Sequence, residues 1–74
     1  MSRLPTLKPK EIIAALKRGG FVEHHNVGSH FYLWQPTRQV MTSVSVHPGD
    51  TPRPVFKQII KQAGFTEDEF RQLI

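Results

Sequence analysis

The sequence contains no cysteine, and this absence removes several classes of protein at once. Without thiols there is no disulfide framework, no cysteine-ligated zinc site and no thiol nucleophile. No stretch approaches the roughly 20 apolar residues that a membrane-spanning helix needs. Residues 1–5 also lack the apolar core of a signal peptide. We therefore expect a soluble, cytoplasmic protein without a membrane partner.

Acidic residues are scarce over most of the chain. Three of the six Asp and Glu residues are Glu67, Asp68 and Glu69, so residues 1–66 carry nine Lys/Arg against three acids, a balance of +6. A basic body with an acidic end favours a polyanionic partner, although a merely solubilising surface is the alternative. The 74 residues predict one domain over residues 1–74. A chain of this length buries only about 60% of its unfolded surface.

Helical signals stand at both ends of the chain. A proline at the first position and a glycine pair after the last predict a helix over residues 9–18. A second helix, opened by proline and followed by glycine, is predicted over residues 54–63. Thr66 and Glu69 form a capping box that opens a short last helix.

Three predicted strands lie between the two main helices. They cover residues 21–25, 30–34 and 40–46, with a hairpin connection over 26–29 and a polar turn over 35–39. Short connections between successive strands predict an antiparallel sheet. With two helices on one face of that sheet, the fold class is a two-layer α+β domain. The other face then stays open and carries His30, Tyr32 and Trp34.

His30 is the residue that best indicates chemistry. It stands at the start of the second predicted strand, directly after the turn residues Gly28 and Ser29. An imidazole exchanges protons near neutral pH, and RNA supplies its own nucleophile, the 2′-hydroxyl. RNA cleavage therefore needs mainly proton transfer, in-line positioning and phosphate stabilisation. His30 can act as base on the 2′-hydroxyl or as acid on the 5′-oxygen, and the sequence leaves the direction of proton transfer open. Ser29 can add a hydrogen bond.

Four motifs in order point to a known family. They are Gly20-Phe21, Gly28-Ser29-His30, Val46-His47-Pro48 and residues 59–64. At these spacings, and from Lys8 onward, the chain resembles the HicA toxins, also called the YcfA-like family.

The resemblance implies a fold like that of double-stranded-RNA-binding domains and a specific activity. It implies a metal-independent endoribonuclease, the toxin of a type II toxin–antitoxin system, which cleaves mRNA and is covered by a HicB-type antitoxin. The catalytic histidine of the family corresponds to His30. Phe31 stands where many members carry a second histidine, and Pro54-Val55 stands where many carry Gly-Thr. The second difference removes a glycine amide and a hydroxyl from the start of that helix.

Five residues are predicted to contact RNA. Gly28 lets the backbone approach a phosphate. Arg53 and Lys57 can hold a phosphate together with the free amides at the start of the second main helix. Tyr32 and Trp34 form an aromatic surface that can stack on bases, be covered by the antitoxin, or simply pack.

The remaining histidines leave alternatives open. His47 is the candidate for a second proton-transfer group, or else a loop residue whose ring packs against Pro48 or Trp34. His24 and His25 are neighbours in a predicted strand, so their side chains are expected to diverge. We accordingly expect no metal site and no small-molecule cofactor.

Two other functions fit the same residues. One is a non-catalytic RNA-binding module of the same fold, and the other is a domain whose aromatic face binds only protein. RNA affinity at low salt separates the protein-binding domain from the other two possibilities.

Overall fold

The order of helices and strands matches the predicted one. A computed structural model describes residues 4–74. In chain order the elements are α1 (Pro9–Arg18), β1 (Val22–Val27), β2 (His30–Gln35), β3 (Val40–Ser45), α2 (Arg53–Gln62) and α3 (Glu67–Arg71). The three strands form one antiparallel sheet in the order β1-β2-β3. The predicted α+β class and its layout, like that of a double-stranded-RNA-binding domain, are confirmed.

Local signals in the sequence account for the helix ends. Pro9 begins α1, and Gly20, with φ 94°, turns the chain after it. The α2 helix starts one residue earlier than predicted, because the Phe56 N–H already bonds to the Pro52 carbonyl at 2.9 Å. Thr66 caps α3 and accepts a hydrogen bond from the Glu69 N–H at 3.1 Å, as the capping box predicted.

The first hairpin differs from its prediction. Strand β1 continues to Val27, because Asn26 and Val27 pair with Phe31 and His30. The connection therefore shortens from residues 26–29 to the two-residue turn Gly28–Ser29, which glycine permits with φ 59°. The other strand ends move by one residue: β2 includes Gln35 and β3 stops at Ser45.

A β-bulge lies in the middle of β1. Pairing with β2 passes from Glu23 directly to His25, which leaves His24 without a partner in the register. The expectation that His24 and His25 point apart is wrong. Strict alternation of side chains holds only for a regular strand, and a bulge interrupts it.

The hydrophobic core lies between one sheet face and the helices. Leu33 and Val44 supply it from the sheet, and the buried Thr42 hydroxyl donates to Gln62 Oε1 at 3.1 Å. The helices contribute fully or nearly fully buried side chains, which include Ile12, Leu16, Phe56, Ile60 and Phe70. Among the described residues no helix is long and apolar enough to cross a membrane.

Candidate nucleic-acid interface

The sheet face opposite the core carries three rows of side chains across the strands. The strand register defines these rows as Val22–Trp34–Met41, His25–Tyr32–Ser43 and Val27–His30–Ser45. We call these nine residues the open face. Apolar groups dominate the first row, and the central row carries an imidazole, a phenol and a hydroxyl. The last row carries an imidazole and a hydroxyl beside the exposed Val27. This face can therefore offer stacking surface and proton-transfer groups side by side.

His30 lies in the last row of the open face, at the end opposite Trp34. It begins β2 directly after the Gly28–Ser29 turn and is exposed between Val27 and Ser45. The Ser29 carbonyl accepts a hydrogen bond from the Val46 N–H at 2.8 Å, which ties the turn to the end of β3. Within residues 4–74 no side chain hydrogen-bonds to the His30 ring. Its nitrogens are thus available to a ligand.

Phe31 points away from this site. It pairs with Asn26 and Val44 and packs, half-buried, against the core. Successive strand residues face opposite sides of the sheet, so the side chain after His30 belongs to the core layer. An apolar residue suits that position and leaves the open face unchanged.

His47 lies just beyond β3, near the His30 end. Its Nδ1 donates to the Pro48 carbonyl at 3.0 Å, since a carbonyl can only accept, and this leaves Nε2 as the second ring nitrogen. The sequence left open whether His47 transfers a proton or packs its ring against Pro48 or Trp34, and the bond observed here is to the Pro48 backbone. His47 also lines a groove of about 310 Å³ with Lys8 and Lys10 at the start of α1.

The two predicted aromatic contacts are both half-buried on the open face. The Tyr32 ring stacks on His25, with centroids 4.5 Å apart and planes within 9° of parallel. Trp34 lies between Val22, which is 50% exposed, and Met41, which is 39% exposed. Beside Tyr32 lies a groove of about 360 Å³ that is also lined by Met41, Thr42 and Ser43 of β3 and by Gln62 of α2. A planar base would find aromatic surface and amide or hydroxyl groups together there.

Arg53 and Lys57 have other partners. Arg53 Nη2 donates to the Leu4 carbonyl at 3.0 Å, and Lys57 forms an ion pair with Glu67 of α3 at 3.8 Å. The α2 side chains that border the β3 edge at Ser43 are instead Pro54, Val55, Gln58, Ile59 and Gln62. The structure thus unites Gly28, Ser29 and His30 with the aromatic pair, and places the two predicted cations on another flank of α2.

Lys8 and Lys10 are the cations that the sequence analysis missed. Neither forms an ion pair with another described residue, whereas Lys17 pairs with Glu23 at 2.6 Å and Arg38 donates to the Gly64 carbonyl at 3.0 Å. Both lysines line the His47 groove, together with Glu11. No local pattern could identify them, because the groove brings together residues almost 40 positions apart in the chain.

The bulge produces a histidine pair at the edge of the open face. His24 Nδ1 and His25 Nδ1 lie 2.6 Å apart, and the two rings meet edge to face with centroids at 4.8 Å. Within the described part of the chain, no three His, Asp or Glu side chains are grouped as metal ligands would be. The two histidines therefore form a hydrogen-bonded pair of imidazoles and do not belong to a larger group of ligands among the described residues.

The open sheet, its aromatic centre and the histidine at its edge define a small α+β protein with features suited to nucleic-acid contact. A family model described as the HicA toxin of bacterial toxin–antitoxin systems matches residues 9–65 of the 74-residue chain. The chain belongs to this toxin family. A search of curated proteins found no match. The matched segment runs from the first residue of α1 to just beyond α2, and α3 follows it.

Proposed function

We propose that this toxin is a metal-independent endoribonuclease that cleaves mRNA through His30. The observation that carries the proposal is an exposed imidazole at the edge of an uncovered sheet face, beside half-buried aromatic rings. Single-stranded RNA is bound typically through bases stacked on aromatic side chains and a backbone held by cations. The open face offers the first of these, and the lysines at the start of α1 offer the second.

The chemistry requires one phosphodiester at His30. The imidazole can transfer a proton to or from the reacting oxygens while the protein holds the 2′-oxygen in line with the leaving 5′-oxygen. Ser29 and Ser45 flank His30 and can hydrogen-bond to the phosphate. Gly28 has open space around its Cα, so an RNA backbone can approach the turn closely.

We also propose that a HicB-type antitoxin covers the open face. The row Val22–Trp34–Met41 exposes apolar surface at the end of the open face opposite His30. A partner that buries this row and extends across the open face would gain apolar contact area and block access to His30. The aromatic residues would then serve both RNA and antitoxin.

The test is cleavage of RNA by purified protein. We expect the wild type to cut single-stranded RNA in the presence of EDTA, and we expect His30→Ala to bind RNA but leave it intact. The His30→Ala variant removes only the imidazole, because the His30 ring is exposed and makes no hydrogen bond within residues 4–74. Intact RNA with retained binding in both samples would instead identify a non-catalytic RNA-binding module. No binding even at low salt would identify a protein-interaction domain.

A further inference from the structure

The His24–His25 pair has a geometry that a regular strand cannot produce. On a regular strand the two rings would lie on opposite faces, but the bulge at His24 turns them toward each other. Bulges often occur beside active sites, where they redirect a side chain. The ring redirected here belongs to the central row of the open face.

The short contact determines how the nitrogens of His25 are used. Two Nδ1 atoms at 2.6 Å form a hydrogen bond in which one ring donates and the other accepts. Two protonated Nδ1 atoms cannot face each other at this distance, so the Nδ1 of His25 is occupied by its hydrogen bond to His24. Its Nε2 is the nitrogen left to exchange a proton with a ligand. His24 thus orients His25, as the third group orients a base in other proton-transfer sites.

The position of the His25 ring is defined on a second side. Its stacking on Tyr32, at 4.5 Å and 9°, holds the ring parallel to an aromatic plane on the neighbouring strand. The ionisable side chains around it are few: His24 and Glu23 lie on its own strand, and Tyr32 and His30 lie on β2. From β3 the open face presents Met41, Ser43 and Ser45, none of which is charged.

His25 and His30 are diagonal neighbours on the open face. His25 pairs with Tyr32 and Val27 pairs with His30, so all four side chains share one face of the β1–β2 ladder. Diagonal neighbours on antiparallel strands lie about 7–8 Å apart. Both histidines are exposed. One phosphodiester can therefore lie between the two rings, with an imidazole on each side.

We propose that His25 is the second proton-transfer residue of RNA cleavage, acting opposite His30. This inference rests on the proposed ribonuclease activity. The 2′-oxygen attacks phosphorus, so the O2′–P bond forms while the P–O5′ bond breaks. One imidazole takes the proton of the 2′-hydroxyl and the other gives a proton to the 5′-oxygen. The products are a 2′,3′-cyclic phosphate and a 5′-hydroxyl, and no further reactant is needed.

The geometry favours His25 over His47 for this role. His47 lies beyond the end of β3 and bonds to the carbonyl of the next residue in its own loop. His25 lies within paired strands, with one edge bound by His24 and one face covered by Tyr32. Two fixed sides hold a ring in one orientation, which a general acid or base requires.

The test uses a substitution that keeps the stacking and removes the proton transfer. His25→Phe retains an aromatic ring against Tyr32, whereas His25→Ala removes the ring as well. We expect His25→Phe to lower kcat for RNA cleavage by about 10²–10⁴-fold with unchanged RNA affinity, and we expect added imidazole to restore part of the activity of His25→Ala. The wild type should show a bell-shaped dependence of rate on pH, and His25→Phe should lack one limb.

A modified substrate identifies the direction of proton transfer. RNA with sulfur in place of the bridging 5′-oxygen has a thiolate leaving group that needs no proton. If this substrate restores cleavage by His25→Phe, His25 is the acid; if the defect persists while the pH profile still loses a limb, His25 is the base. Both results support the proposal.

Other results would overturn it. Cleavage by folded His25→Phe at the wild-type rate would show that the ring only stacks, and a larger loss in His47→Ala than in His25→Phe would assign the role to His47. Circular dichroism spectra and thermal melts check that each variant is folded. If the wild type cleaves no RNA, the proposed function itself fails; if the wild type and His25→Phe cleave equally, only the role of His25 fails.

Discussion

Replacing Phe70 by alanine tests whether α3 is part of the folding unit. The Phe70 side chain is fully buried and packs edge-on against Phe56, with centroids 5.4 Å apart, and against Phe65 at 6.2 Å. Burial of this kind makes a Phe→Ala change cost about 3–5 kcal/mol. A 74-residue protein has a free energy of unfolding of roughly 4–11 kcal/mol in total. The single substitution should thus remove a large part of the stability.

Urea denaturation followed by circular dichroism measures this loss. With a slope of about 1 kcal/mol per molar urea, the midpoint of Phe70→Ala should fall by about 3–5 M, or the variant should already be unfolded in buffer. Ile74→Ala is the control, because Ile74 is 46% exposed at the end of the same segment, and it should change stability by no more than about 0.5 kcal/mol. If Phe70→Ala matches this control, then α3 does not stabilise the core and our reading of its packing is wrong.

Three further predictions concern the turn, the cations and the last helix cap. Gly28→Ala should destabilise the hairpin by about 1 kcal/mol in thermal melts, because φ is 59° although the space around the Cα is open; unchanged stability would contradict this. Changing both Lys8 and Lys10 to Gln should weaken RNA binding and reduce the slope of log K against log salt by about 1.4. Lys57→Gln should change that slope little, since Lys57 pairs with Glu67 away from the open face; the reverse pattern would place RNA along α2. Thr66→Ala should cost about 1 kcal/mol in urea denaturation, because it removes the side chain that accepts the Glu69 N–H.

Much of the fold followed from local patterns. Pro9 and Gly20 bound α1 because each suits one helix end regardless of the rest of the chain. In β3, alternation places Val44 in the core and Ser43 on the other face, because successive strand residues face opposite sides of the sheet. Alternation along β2 likewise placed His30, Tyr32 and Trp34 together on the open face.

The candidate site was predictable only in part. The motif Gly28-Ser29-His30 could be recognised because its residues are contiguous. The positions of Lys8 and Lys10 could not, because they depend on how α1 packs beside the segment after β3. The orientation of the Arg53 side chain could not be predicted either, because its partner is the carbonyl of Leu4, far away in the chain.

The sequence by itself determined the order of helices and strands, the side of the sheet that faces the core and the positive charge of residues 1–66. It also identified His30 as the candidate catalytic residue. Those properties depend on periodicity and on residue type, which act over a few positions. Only the tertiary structure decided that His24 and His25 meet, that His25 stacks on Tyr32, and that Lys8 and Lys10 line a groove with His47. A bulge depends on how two strands fit each other, and a groove depends on how a helix packs, so neither can be read from one segment alone.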